Sequence, residues 1–175
     1  MKTSKDYFYD DLNVGEAIEY EILKKIQNGE TPFKEKYPKA YKPEIWTKEY
    51  DLVIPEINKT VEVKQDFKAK HTNNIVVEIE FGGNPSGLSV TNADYWVITD
   101  GYWIYWIKLE KLKKCVDEFS YTLTGWKGPG DSKHKRAYLI DRYDFIGYCI
   151  NPVFRLKDDD PLYRDNFVKR GLKEQ

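Results

Sequence analysis

A chain of 175 residues with 41% hydrophobic and 33% charged side chains is long enough to bury one core and too apolar to stay disordered. Its net charge of −1 argues against a basic coat for tight non-specific nucleic-acid binding, although carboxylates set beside lysines cancel in such a sum. No run approaches the roughly 20 apolar residues of a membrane helix. The opening residues, Met1 to Asp11, lack the apolar stretch of a secretory leader. With only Cys115 and Cys149, far apart and without metal-ligand spacing, a cytoplasmic location is expected and no disulfide framework is indicated.

The first element is an amphipathic helix over about Asp11–Gln27, on which Gly15, Ile18, Ile22 and Ile26 recur at helical spacing. Asn28-Gly29 is its stop signal. A loop punctuated by Pro32, Pro38 and Pro43 follows. Then the period changes to that of strands: residues 46–54, a turn at Pro55–Lys59, residues 60–65, and a third strand at 75–81. Gly82–Gly87 is a turn-rich loop without a P-loop pattern. Tyr95–Thr99 and Tyr102–Ile107 form a hairpin through the two-residue turn Asp100-Gly101. Leu109–Phe119 reads as a helix, Gly125–Asp131 as a loop, and Ser132–Arg136 as a basic run. Ala137–Ile150 holds a strand or a short helix, and the charged tail from Asp158 reads as loosely held. The expectation is one α/β (α+β) domain with a central mixed β-sheet flanked by helices, its core over about 11–120 and its extension 121–175 of unassigned role.

The strand Thr60-Val61-Glu62-Val63-Lys64-Gln65 carries the chemistry. Alternate side chains share a face, so Val61 and Val63 point into a helix-covered core while Glu62 and Lys64 point together the other way. If the preceding strand pairs with it, Asp51 comes near Glu62. Two carboxylates and a lysine in one patch suit phosphodiester hydrolysis. A hard cation such as Mg²⁺ needs only one or two carboxylates and leaves its other positions to water and phosphate. It lowers the pKa of a bound water, and a lysine offsets charge developing on the phosphate. An E-x-K alone distinguishes little, because alternating charge is common on exposed strands. Glu19 lies within the apolar stripe of the first helix, where an acid needs a partner: a metal site, a lysine, or an escape to solvent, with Glu16 the alternative one turn earlier.

Taken in order, Gly15-x-x-x-Glu19, Asp51 and Glu62-Val63-Lys64 resemble the PD-(D/E)XK nuclease superfamily. They are similar to archaeal Holliday junction resolvases, in which a helical G-x-x-x-E precedes V-D-L-V and E-V-K; the middle piece here is Tyr50-Asp51-Leu52-Val53, with tyrosine in place of the motif's proline. Thr72–Glu78, Pro85–Leu88 and Ala93–Trp96 look like segments of phage-type nucleases of that superfamily, so the resemblance spans about 11–107 and suggests a phage setting. It implies a restriction-endonuclease-like core and a metal-dependent DNA endonuclease. It assigns metal binding to Asp51, Glu62 and the carbonyl of Val63, with Mg²⁺ as cofactor and Mn²⁺ able to substitute. Lys64 would serve catalysis and Glu19 would assist. A branched-DNA resolvase acting as a homodimer, and a non-catalytic nucleic-acid-binding module on the same fold, are the alternatives.

DNA contacts are expected from Gln65, which follows the motif lysine, from Lys68, Lys70 and His71 just beyond it, and from Lys133, Lys135 and Arg136. Of the two basic clusters, the first is expected to stand beside the site. Glu78, on the face of the third strand shared by Val76 and Glu80, is read chiefly as a solvated acid.

Overall fold

A computed structural model describes residues 4–127 and 133–169. Along the chain come helix α1 (Ser4–Asn28), strands β1 (Leu52–Ile54) and β2 (Lys59–Gln65), the single turn α2 (Ala69–Thr72), and strands β3 (Asn74–Phe81) and β4 (Asn84–Pro85). The hairpin β5 (Tyr95–Thr99) and β6 (Trp103–Lys108) leads into α3 (Leu109–Phe119). Strands β7 (Tyr121–Trp126) and β8 (Lys135–Asp141), helix α4 (Arg142–Tyr148), β9 (Phe154–Arg155) and α5 (Arg164–Lys169) complete the described chain.

Two sheets result, in the orders β1-β2-β5-β6-β9 and β4-β3-β8-β7. The first is mixed: β2 and β5 run parallel, while the other neighbours are antiparallel. This is the expected mixed α+β architecture. It differs in one respect: β3 does not join the central sheet but pairs with β8 in the second one. The chain between β2 and β5 therefore leaves the main sheet, builds β3 and β4, and returns.

The alternation of β2 sorts the two cores. Val61 and Val63 are buried with Ile18, Ile22 and Ile26 of α1, beside Val97 and Trp106. Fully burying one such side chain is worth about 1.5–3 kcal/mol, so this helix face anchors the sheet. On the sheet's other side, Trp96, Ile98, Tyr105 and Ile107 pack with Ile75, Val77 and Ile140 of the second sheet, Leu112 and Cys115 of α3, and Phe145 of α4. Both cysteines are buried free thiols. Helix α1 ends where expected, at Gly29 with φ +77°, a conformation that costs a glycine little. Its start lies earlier than Asp11.

Several expected boundaries move. Only Leu52–Ile54 of the expected strand 46–54 is extended pairing. The outer edge of β1 is taken by Tyr41, which exchanges backbone hydrogen bonds of 3.0 and 2.9 Å with Val53. Upstream of it the chain turns away, and the Glu49 carbonyl accepts bonds from Asn92 N–H (3.2 Å) and Thr91 Oγ1 (2.9 Å). Gly125 lies in β7 rather than in a loop; positions 128–131 of that expected loop, and Ser132 of the basic run, fall outside the described residues. Residues 137–150 hold both a strand and a helix. The hairpin turn is longer than two residues: buried Asp100 accepts N–H bonds from Tyr102 and Trp103 at 2.9 and 2.7 Å, and Gly101 takes φ +81°. Of the tail from Asp158, the described part docks, and positions 170–175 fall outside the described residues. Asp160 pairs with Lys25 at 2.5 Å, and Leu162 is fully buried. Asp94 fastens the start of β2 to that of β5 by accepting from Thr60 N–H (2.9 Å) and Lys59 Nζ (2.7 Å).

Candidate active site

The site begins where β1 gives out. Leu52 pairs with Val61, so Asp51 arrives opposite Glu62 just as the two-strand ladder ends. Beyond that point β2 has an open edge. Asp51 closes part of it: its N–H donates to the Val61 carbonyl (2.9 Å), and its Oδ2 accepts from Val63 N–H (2.7 Å). An otherwise orphaned backbone donor thus fixes the carboxylate. The Val63 carbonyl leaves the strand on that same open edge.

Glu62 and Lys64 point away from α1, toward the second sheet, as their alternation demands. They form an ion pair of 2.5 Å. The Glu62 carboxylate is almost wholly buried and the lysine is 39% exposed. Burial pushes the Glu62 carboxyl well above the usual carboxylate range; Lys64 opposes this, and Asp51 and Glu19 add to it. The lysine shows the converse balance. Burial disfavours its charge, but Glu62, Asp51 and Glu78 together hold it above the ordinary lysine value. The result is a firmly charged ammonium beside a Glu62 carboxyl that resists ionising.

Glu19 reaches this group from α1. Its partner is Lys42, from the proline-punctuated loop, at 2.5 Å; Lys42 also stands 4.0 Å from Glu16. Burial raises the Glu19 carboxyl, Lys42 counters, and the neighbouring Asp51 charge raises it further. Glu19 is thus near enough to Asp51 and Glu62 to feel them, but it is neutralised by a lysine, one of the three alternatives open to it. A Cβ added at Gly15 would meet no atom within 4 Å, so close packing does not explain that glycine.

A cavity of about 560 Å³ opens over the acids. Asp51, Glu62 and Lys64 form one wall; Trp46 and Lys48, the turn from Phe81 to Val90, and Lys133 form the others. Glu78 reaches Lys64 electrostatically from β3, while accepting from Ser86 Oγ at 2.5 Å and pairing with Lys135 at 3.5 Å. It is therefore part of the local charge balance rather than a solvated acid. Gly87, at φ +50°, lets this turn lie directly on the β3 backbone: a Cβ there would stand 2.3 Å from the Glu78 carbonyl oxygen.

The expected DNA contacts divide. Lys133 lines the cavity. Lys135 is engaged by Glu78, and Arg136 pairs with Glu80 at 3.2 Å. The cluster expected to be nearer is not part of the cavity lining. Lys70 sits over the Tyr102 ring at 3.1 Å, and His71 lies 2.5 Å from Arg164. Lys68 is exposed on the same turn, where its carbonyl caps His71 N–H. Gln65 shares the face of Val61 and Val63, opposite to Glu62 and Lys64, and its Oε1 is buried without a hydrogen-bond partner among the described residues. Lys42, Trp46 and Lys48 were not anticipated. Glu19's place in an apolar stripe was a signal for the first of them, since a buried acid requires a cation.

Among the described residues, no three His, Cys, Asp or Glu side chains are grouped closely enough to hold a metal ion by themselves. The donor set fits a cation with a smaller demand. Asp51 and Glu62 each keep one carboxylate oxygen without a hydrogen-bond or ion-pair partner among the described residues, and both line the open cavity. One or two carboxylates with water and a phosphate oxygen are what Mg²⁺ takes. Also among the described residues, no helix is long and apolar enough to cross a membrane. Comparison with protein-family models, with curated proteins and with solved structures gives no match to this chain.

Proposed function

We propose that the cavity hydrolyses phosphodiester bonds of DNA with the help of a divalent cation. The observation carrying this reading is that Asp51, Glu62 and Lys64 stand on one wall of one cavity, two carboxylates beside a firmly charged lysine. Asp51, Glu62 and the Val63 carbonyl would hold Mg²⁺ or Mn²⁺. A cation held there would supply a water of lowered pKa and polarise the phosphate. Lys64 faces the space the phosphate would enter and stabilises the negative charge that grows on it as water oxygen bonds to phosphorus and the bond to the departing sugar oxygen breaks. Asp51, pinned by Val63 N–H, stays in place without reorganisation.

The test is cleavage of linear duplex, single-stranded, flapped and four-way-junction DNA in Mg²⁺, Mn²⁺ or EDTA, with Lys64→Ala alongside. Cleavage that requires the metal and is lost in the variant is the expected result. Absence of cleavage on every substrate, with binding intact in both proteins, would replace the enzyme with a binding module.

A further inference from the structure

Trp96 and Trp106 are buried, but Trp46 is 76% exposed and stands at the cavity. An indole left in water forfeits the burial that a core position would give it. It is not on a loose end. Its segment is tied upstream by the Tyr41–Val53 bridge and downstream by the Glu49 carbonyl, and Thr47 Oγ1 accepts from Glu49 N–H at 3.1 Å. The loop thus presents a large aromatic surface beside the acids. Lys48 and Lys133 line the same cavity, and neither pairs with a carboxylate among the described residues. The stem of Lys133 lies over Gly82, whose φ of +60° and missing Cβ make room for it. Asn84 and Ser86 add polar groups to the wall opposite the acids.

We propose that the cleft takes an unpaired nucleotide of a single-stranded DNA segment, its base stacked on Trp46 and its backbone phosphates met by Lys48 and Lys133. This rests on the reading of the cleft as a nucleic-acid site and names its substrate. A volume of about 560 Å³ accommodates one nucleotide. Bases within a duplex are already stacked on their neighbours and offer no free face, so only an unpaired base gains from the indole. Two lysines beside it match the charge of the adjoining phosphates.

The experiment is fluorescence anisotropy in EDTA, so that nothing is cut, with labelled oligothymidylate and a blunt duplex as probes. Wild type is expected to bind the single strand more tightly. Trp46→Ala should weaken that complex roughly 5–150-fold, with less than about a twofold effect on the duplex. Trp46→Phe should restore most of the loss. Equal weakening of both probes, or none for the single strand, overturns the inference. Cleavage in Mg²⁺ by wild type and Lys64→Ala is followed in parallel. Selective weakening by Trp46→Ala without any cleavage keeps the stacking inference and removes hydrolysis. Lys64-dependent cleavage with wild-type binding by Trp46→Ala does the reverse.

Discussion

Replacing Lys64 by alanine removes the cation facing Glu62 and leaves that carboxylate, 5% exposed, beside Asp51. A fully exposed ion pair contributes about 0–1 kcal/mol, and breaking a fully buried one costs about 3–5 kcal/mol. Here the acid is buried and the lysine is 39% exposed, so the pair falls between those limits and the expected cost is about 2 kcal/mol near pH 8. With a urea dependence of about 2 kcal/mol per molar, the unfolding midpoint should fall by about 1 M. The sign with pH follows from the raised Glu62 carboxyl. Its favourable protonation in the folded state is complete below the ordinary glutamate value and is lost as pH rises through the raised one. Without Lys64 the carboxyl rises further, so the deficit of the variant widens toward pH 8 and narrows toward pH 5. Adding Glu62→Gln to Lys64→Ala removes the stranded charge and should recover most of the midpoint at pH 8. Urea titrations in EDTA, read by tryptophan fluorescence at both pH values, measure all of this. A midpoint unchanged at pH 8, or a deficit equal at both pH values, refutes the idea that a buried carboxylate depends on Lys64.

Gly87→Ala should destabilise the protein by at least about 2 kcal/mol, because it combines a left-handed backbone with a Cβ 2.3 Å from the Glu78 carbonyl oxygen; a calorimetric midpoint within a degree of wild type would contradict the described turn. Lys133→Ala should weaken DNA binding and lower the salt dependence, the slope of log affinity against log salt, by about 1. Lys70→Ala, whose ammonium is engaged with Tyr102, should leave that slope unchanged; the opposite pattern in a salt titration would return the interface to the first basic cluster.

The strand bearing Glu62 and Lys64 was legible because alternation decides which face a residue occupies, and the buried partners Val61 and Val63 leave one register only. Asp51 followed from the short turn between β1 and β2. The division into two sheets was not legible. Ile75 and Val77 share one buried face in the same way whether their strand pairs with β2 or with β8, so periodicity reports a buried face and not a neighbour. Trp46 and Lys48 were hidden for a related reason. Their stretch alternates like a strand, yet Glu49 is drawn off by Thr91 and Asn92, contacts that are remote in sequence. Distance along the chain from Lys64 favours the first basic cluster, and the fold reverses that order by folding β8 back on β3.

The excursion between β2 and β5 separates two kinds of change open to this protein. Glu62 and Lys64 sit on β2 of the main sheet and Asp51 lies just before β1, whereas the turn from Phe81 to Val90 closes the cavity from the second sheet. Substitutions or short insertions in that turn, between its exposed positions Gly83 and Pro85, alter what can enter while the charged strand keeps its neighbours β1 and β5. What the cavity admits can therefore drift, or be redesigned by grafting, independently of Asp51, Glu62 and Lys64, and Gly87 is the position such a graft has to keep.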